Sequence, residues 1–327
     1  MVKFLIIRFS SIGDIVLTTP VVRCLKEQVE DSEVHYLTKP AYAPLLQNNP
    51  YIDSLLLLQT KLNDTIQEIK ANHYDYIIDL HHNLRTSIIK HKTHLLAFAF
   101  PKLNIQKAWM VHFKINKLPS IHIVERYFET VKLFDVHNDG KGLELYLSPS
   151  DEIELNTLPS FLAHGFMAVV TGARHNTKQI PETLLSKIIA EIKVPVLFIG
   201  DKNDYAMAES VIGKSNRDDL FNACGKYSIM QSASLIKKAT VILTPDTGMM
   251  HVAAAFHKKI VSVWGNTIPE FGMYPYTDAA NYSIHEVKNL SCRPCSKLGY
   301  ERCPKKHFQC MNLQHADEII SQIRKFL

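Results

Sequence analysis

Short apolar runs rich in β-branched residues alternate along this chain with longer stretches whose apolar positions recur at helical spacing. In the first half, residues 2–8, 34–37, 55–58 and 76–80 read as strands, and residues 15–29, 42–47 and 62–71 as helices. Pro20 falls near the opening turns of the first of these helices, where its missing N–H could lengthen the loop over residues 10–14. Residues 95–120 are basic and lack a clean period, so loops and short helices are expected there, followed by a helix over 123–133.

The alternation then restarts. Residues 167–171, 196–199, 241–243 and 261–264 read as strands, the last closing the sheet, and residues 181–193, 204–212, 228–238 and 312–327 as helices. Turn-forming residues at 139–142, 148–151 and 158–160 separate the two series, which predicts domains over residues 1–155 and 156–327. Strands alternating with helices mean α/β architecture with doubly wound parallel sheets. No Gly-x-Gly-x-x-Gly follows the first strand and no P-loop occurs, which removes the NAD-binding version of the fold and the simplest kinase or NTPase readings.

Composition narrows the partners. A chain of 327 residues with 46% hydrophobic and 21% charged residues is that of a folded globular protein with room for two cores. The apolar N-terminus is interrupted by Arg8 and Asp14 and no run is long enough to span a bilayer, so the expected place is the cytoplasm. A net charge of +5 is too modest to imply nucleic acid. Its distribution is uneven: no Asp or Glu lies between Leu80 and Val124, where Arg85, Lys90, Lys92, Lys102, Lys107, Lys114 and Lys117 all fall. That block fits a phosphorylated or anionic-lipid partner, or a solvated basic face.

The most concentrated candidate chemistry is the turn Thr244-Pro245-Asp246-Thr247-Gly248 between an apolar strand and the helix-forming Met249-Met250-His251-Val252-Ala253-Ala254-Ala255. Free N–H groups and the positive end of a helix dipole would meet an anion there, at the carboxyl end of a strand. Asp246 is a candidate N-cap, Thr247 offers a hydroxyl and an N–H, and Gly248 admits close approach. An ordinary capped helix start would look the same, and His251 beside alanines could be a packed core histidine. Lys178 follows the strand over 167–171 in the glycine-containing loop 172–178, where a flexible cation can neutralise a leaving group.

Pro245-Asp246-Thr247-Gly248 with His251 and the alanine-rich helix resembles the donor-site motif of the bacterial heptosyltransferases, glycosyltransferase family 9. The run from Ile6 through Arg8, Ser10, Ser11, Ile12, Gly13 and Asp14 to Pro20 is similar to that family's other signature. The resemblance implies two Rossmann-like doubly wound domains facing a cleft, the GT-B fold, with a terminal helix that commonly crosses back to the first domain. It implies an inverting, metal-independent transfer of heptose from ADP-heptose to a lipopolysaccharide inner-core acceptor, with no cofactor required.

Asp14 would be the base that deprotonates the acceptor, although its type and place also suit a helix cap. Lys178 matches the lysine of the family's Lys-x-Trp-Pro pattern, with Ile180 where tryptophan is usual, and would join Asp246, Thr247, Gly248 and His251 around the diphosphate. Gly200, Asp201 and Asp204 stand where the family often has a glycine and a glutamate that contacts the nucleoside. Ser11, Gly13, Arg85, Lys90 and Lys107 are the candidates for an anionic acceptor, a phosphorylated lipid or lipopolysaccharide core presented on the inner face of the inner membrane; nucleic acid is not expected. Other readings are a related transferase using another nucleotide sugar, or a non-catalytic module binding anionic lipid or nucleic acid. In either kind of protein Cys292, Cys295, Cys303 and Cys310, with His307 among them, could bind a structural zinc, which would staple the loop of the non-catalytic module, although only the first pair has close Cys-x-x-Cys spacing.

Overall fold

The computed structural model describes residues Met1–Leu327. By their contacts these form two units, Met1–Leu103 with Ile121–Tyr146, and Leu147–Leu327 with Asn104–Ser120. Each is a parallel sheet flanked by helices. No helix is long and apolar enough to cross a membrane.

The first unit contains β1 (Val2–Ile7), α1 (Ile12–Val16), α2 (Thr19–Gln28), β2 (Ser32–Thr38), β3 (Ser54–Leu57), α3 (Leu62–Ala71), β4 (Tyr76–Asp79), α4 (Leu84–Thr93) and β5 (Leu96–Ala99). After α5 (Asn104–Phe113), which groups with the second unit, α6 (Ile123–Phe128) follows in the first. The strands lie in the order β3-β2-β1-β4-β5, all parallel. The chain winds outward from β1 on one side and then restarts beside it with β4. Phe4, Leu5, Ile6 and Ile7 are all fully buried, because helices cover both faces of a parallel strand and its residues no longer alternate between core and solvent.

Several expectations change. The helix over 15–29 is two helices, broken at Leu17 and Thr18, and Pro20 sits in the first turn of the second, where its missing N–H costs no helical bond. Residues 42–47 are largely a 3-10 turn, Pro40–Leu45, containing Pro40 and Pro44. In the stretch 95–120, read as loops and short helices, residues Leu96–Ala99 form a regular strand; before it α4 is a helix for which no element was read, and Asn83 accepts from the Thr86 N–H at 3.0 Å to cap it. Such a cap contributes about 1 kcal/mol.

The second unit contains β6 (Met167–Val170), α7 (Glu182–Glu191), β7 (Val196–Ile199), α8 (Tyr205–Lys214), β8 (Leu220–Asn222), α9 (Ile229–Lys238), β9 (Val241–Pro245), α10 (Gly248–Ala255), β10 (Lys259–Trp264), β11 (Tyr282–Glu286), α11 (Gln309–Asn312) and α12 (Ala316–Phe326). Its order is β11-β10-β9-β6-β7-β8, again parallel. β10 does not close this sheet, since β11 pairs beyond it, and β8 is an edge of only three residues. The final helix, α12, sets Ile319, Ile320 and Ile323 into this unit's own core with Val241, Leu243, Val261 and Val263.

Arg23 on α2 ties the first unit's layers to the chain after α6. It makes two 2.8 Å bonds to the Asp139 carboxylate, one of 2.5 Å to Glu144 and one of 3.0 Å to the Gly142 carbonyl, while 2% exposed. Arg23→Ala would leave two carboxylates beside a buried gap without their cation. We expect denaturant unfolding to show a loss of about 3–5 kcal/mol. A loss below about 1 kcal/mol would mean that the pairs are solvated like surface ion pairs.

Candidate active site

In a doubly wound sheet the loops on either side of the point where strand order reverses diverge, and ligands bind in the crevice this opens at the carboxyl ends of the strands. The reversal lies between β1 and β4 in the first unit and between β6 and β9 in the second. The chain after β1 carries Asp14, the chain after β6 carries Lys178, and the chain after β9 carries Asp246, Thr247 and Gly248.

Asp14 lies in the first turn of α1, not in a preceding loop. Its Oδ2 accepts from the Ser11 hydroxyl at 2.9 Å and the Ser11 N–H at 3.3 Å, and its Oδ1 is 2.7 Å from the Arg8 guanidinium. One oxygen thus caps the helix while the other is held by a cation. Arg8 also donates to the carbonyls of Ser10 at 2.7 Å and Leu80 at 2.6 Å. Burial opposes its charge, but Asp14, Tyr127 and Tyr36 outweigh burial and its pKa is raised. Ser11 serves as the cap and Gly13 is buried within α1.

The basic block separates into cations with different duties. Lys90 is 2.8 Å from the fully buried Asp79, which also accepts from the N–H groups of His81 and His82. Lys90 therefore supports the loop between β4 and α4 and is not a solvated cation. Lys107 belongs to the second unit, with Nζ 6.0 Å from the centre of the Phe271 ring. Arg85 is exposed and, with Lys39, lines an open pocket of about 480 Å³ beside Leu58, Gln59, Thr60 and Leu62, at the carboxyl ends of β2 and β3.

His81, which the sequence did not single out, stands at the carboxyl end of β4 with its ring 4.8 Å from that of Phe9. Its Nδ1 is buried with no hydrogen-bond partner. Burial, then the charges of Arg8 and Lys102, push its pKa down to about 4.

In the second unit Lys178 Nζ is 2.6 Å from Asp246 Oδ2, which also accepts from the Thr267 hydroxyl at 2.7 Å. Asp246 does not cap α10; the N-cap is Thr247, with no side-chain cap bond, so the helix start is left open to an anion. His251 is 2% exposed and packs inside the unit. Asp204 is buried too: Cβ atoms added at Gly172 and Gly200 would lie 2.3 Å from its Oδ2 and 2.7 Å from its Cβ, so both glycines are needed for it to fit. Its Oδ2 accepts from the Asp201 N–H at 2.8 Å, which turns the carboxylate to the loop's own backbone. Asp201 caps the next turn through Asn203 and is exposed.

The cysteine loop reaches this site through residues other than its thiols. Arg293, between Cys292 and Pro294, donates to the carbonyls of Gly265 at 2.6 Å and Thr267 at 2.8 Å and pairs with Glu286 at 2.6 Å. The Tyr300 carbonyl accepts from the N–H of Thr177, next to Lys178, at 3.1 Å and from its hydroxyl at 2.9 Å, and the Tyr300 N–H donates to that hydroxyl at 2.8 Å. The loop thereby braces the chain on both sides of the Lys178–Asp246 pair. Cys292 Sγ is 3.9 Å from His307 Nε2 and Cys310 is buried, but no three of the chain's His, Cys, Asp and Glu side chains converge as metal ligands. Arg8, Thr267 and Arg293 were all legible only as charges or hydroxyls flanking the motifs.

Because His81 has a folded pKa near 4, below its ordinary 6.5, the folded state binds fewer protons over that interval. Its contribution to stability is therefore present above pH 6.5 and lost as pH falls toward 4. Thermal unfolding of His81→Gln against wild type is expected to show a shallower acid loss in the variant. Parallel profiles would show that His81 titrates normally.

The profile of glycosyltransferase family 9 (heptosyltransferase) matches residues 63–301. Lipopolysaccharide heptosyltransferase 1 of Campylobacter coli is 26% identical over 297 residues, covering 81% of this chain and 84% of that protein. The solved family 9 glycosyltransferase of Veillonella parvula is 18% identical, with a TM-score of 0.78 over 99% of this chain and 96% of that one. The ADP-heptose lipopolysaccharide heptosyltransferase II of E. coli is 17% identical, with a TM-score of 0.75 over 99% and 98%. These structural likenesses establish the two-domain GT-B architecture, and the profile match along most of the chain settles its kinship: the chain belongs to glycosyltransferase family 9, the heptosyltransferases.

Proposed function

We propose that this glycosyltransferase moves a heptose from ADP-heptose to a phosphorylated inner-core acceptor of lipopolysaccharide, with inversion and without a catalytic metal. The observation that carries the reading is the open start of α10 beside Lys178, at the reversal point of the second sheet. The similar E. coli and Campylobacter proteins supply the sugar and the acceptor class by their own activities.

In this reading the donor diphosphate lies against the N–H groups of Thr247 and Gly248, and Lys178 takes up the charge that develops as the glycosidic bond breaks. Asp246 does not bind phosphate. It orients Lys178 and anchors Thr267, and its own charge is neutralised by that lysine. His251 supports the turn from inside the unit, and exposed Asp201 is the nucleoside candidate beside Gly200. Asp14, kept oriented by Arg8 and Ser11, accepts the proton of the attacking hydroxyl, and single in-line displacement inverts the anomeric carbon. Lys39 and Arg85 suit a phosphate on the acceptor.

Two measurements test this. Calorimetric binding of ADP, UDP and GDP is expected to favour ADP, and Lys178→Ala to weaken ADP about a hundredfold by leaving Asp246 unpaired beside the incoming anion. Lys178→Ala/Asp246→Asn should then bind more tightly than the single variant; equal weakening would remove the repulsion account, and preference for UDP or GDP would change the donor. Asp14→Asn should lower kcat by about 10²–10⁴ with donor affinity unchanged. Transfer should persist in EDTA, whereas a loss restored by Mg²⁺ would assign the diphosphate charge to a metal.

A further inference from the structure

α5 is inside out. Its ten residues include none that is buried, and its outward stripe is Ile105, Trp109 and Phe113, spaced four apart and 69%, 44% and 69% exposed. Its other side, Gln106, Lys107, Met110 and Val111, is half-buried, with Lys107 Nζ 6.0 Å from the centre of the Phe271 ring. Just beyond the helix, Lys114 Nζ donates to the carbonyls of Val111 at 2.7 Å, Pro294 at 2.6 Å and Cys292 at 3.3 Å. These bonds hold α5 to the cysteine loop with its apolar edge turned to solvent. Large apolar side chains lined up on one exposed helix edge beside cations mark an interaction surface.

We propose that α5 is a membrane-docking helix whose Ile105, Trp109 and Phe113 enter the interfacial layer of an anionic bilayer. Charge selects this occupant. No acidic residue lies in the segment 104–120 that carries α5, and the loop to which Lys114 fastens it carries exposed Lys297, Arg302, Lys305 and Lys306 against the single acid Glu301. Anionic headgroups would meet those cations while the stripe enters below them, and tryptophan is well suited to the headgroup level because its ring is apolar and its N–H polar. A second copy of the chain fits less well, because a two-fold interface would set one basic loop against another. The proposal deepens the reading of a lipid-linked acceptor and rests on it only for the choice of membrane. Through Tyr300 and Thr177 the same loop continues to Lys178, so the docked element and the donor lysine share one brace.

The chain has two tryptophans, and Trp264 is 1% exposed, so lipid-dependent changes in fluorescence report Trp109. The full chain would be titrated with phosphatidylcholine vesicles with and without phosphatidylglycerol, then with brominated phospholipid as a contact quencher. We expect a blue shift and bromine quenching that require phosphatidylglycerol and fade with salt. Ile105→Ser/Phe113→Ser should weaken vesicle binding by about tenfold or more while transfer to a delipidated, soluble acceptor is unchanged. Absence of quenching, equal binding by the variant, or indifference to phosphatidylglycerol would overturn the proposal. So would concentration-dependent self-association that the variant abolishes, which would give the stripe to a second copy. Vesicle binding is read without catalysis, so failure of the heptose-transfer reading and failure of this one give different results.

Discussion

Reversal of strand order in a parallel sheet is the constraint on which this molecule's chemistry depends. It occurs once in each unit, between β1 and β4 and between β6 and β9, and in each case a carboxylate beside the opening is held by a cation. Asp14 is paired with Arg8 at 2.7 Å, and Asp246 with Lys178 at 2.6 Å. A carboxylate at such a place is useful only if it is ionised and fixed in direction. The paired cation fixes the direction, since a short ion pair removes rotamer freedom, and it balances the carboxylate's charge.

The two pairs differ in what else they touch, and that difference matches the work proposed for them. Asp14 is also tied to its own helix start through Ser11, leaving a local, rigid unit suited to receiving a proton. Lys178 and Asp246 come from loops nearly seventy residues apart in sequence, and Asp246 reaches a third loop through Thr267. A pair assembled from separate loops can respond to an anion as a unit, because displacing the lysine toward phosphate changes the field felt by the carboxylate. The cysteine loop stiffens this assembly through Arg293 and Tyr300. The residues that make these contacts lie among the thiols without being thiols, so the segment that the cysteine spacing singles out also serves the site through its other side chains and backbone.

The basic block shows how little a charge count settles. Lys90 is drawn inward by buried Asp79, Lys107 is set near an aromatic ring and Lys114 is spent on carbonyls, while Arg85 stays free to line an open pocket. A lysine's stem is long and flexible, so its charge goes to whichever acceptor the fold brings within reach.

Strand and helix periodicity, the parallel α/β class and the two motif-bearing turns were fixed by the chain's own pattern, because those features arise from contacts close in sequence. β6, β7, α3 and α9 fall almost where that pattern puts them, their apolar runs, and the Ser228 cap of α9, being local. Elements with weaker local signals were decided by tertiary structure. β8 and β11 are short or half-exposed edges that exist because a neighbouring strand offers its hydrogen bonds, and α5 holds its position through Lys114 and carbonyls far along the chain. At the site the residue types could be read from sequence, but their partners could not. That Asp14 meets Arg8, that Asp246 turns to Lys178 and Thr267 instead of capping α10, and that Asp204 is enclosed by two glycine backbones all follow from which strand ends are adjacent. Adjacency of strands is a property of the whole sheet, set by burial summed over many residues, and no local stretch encodes it.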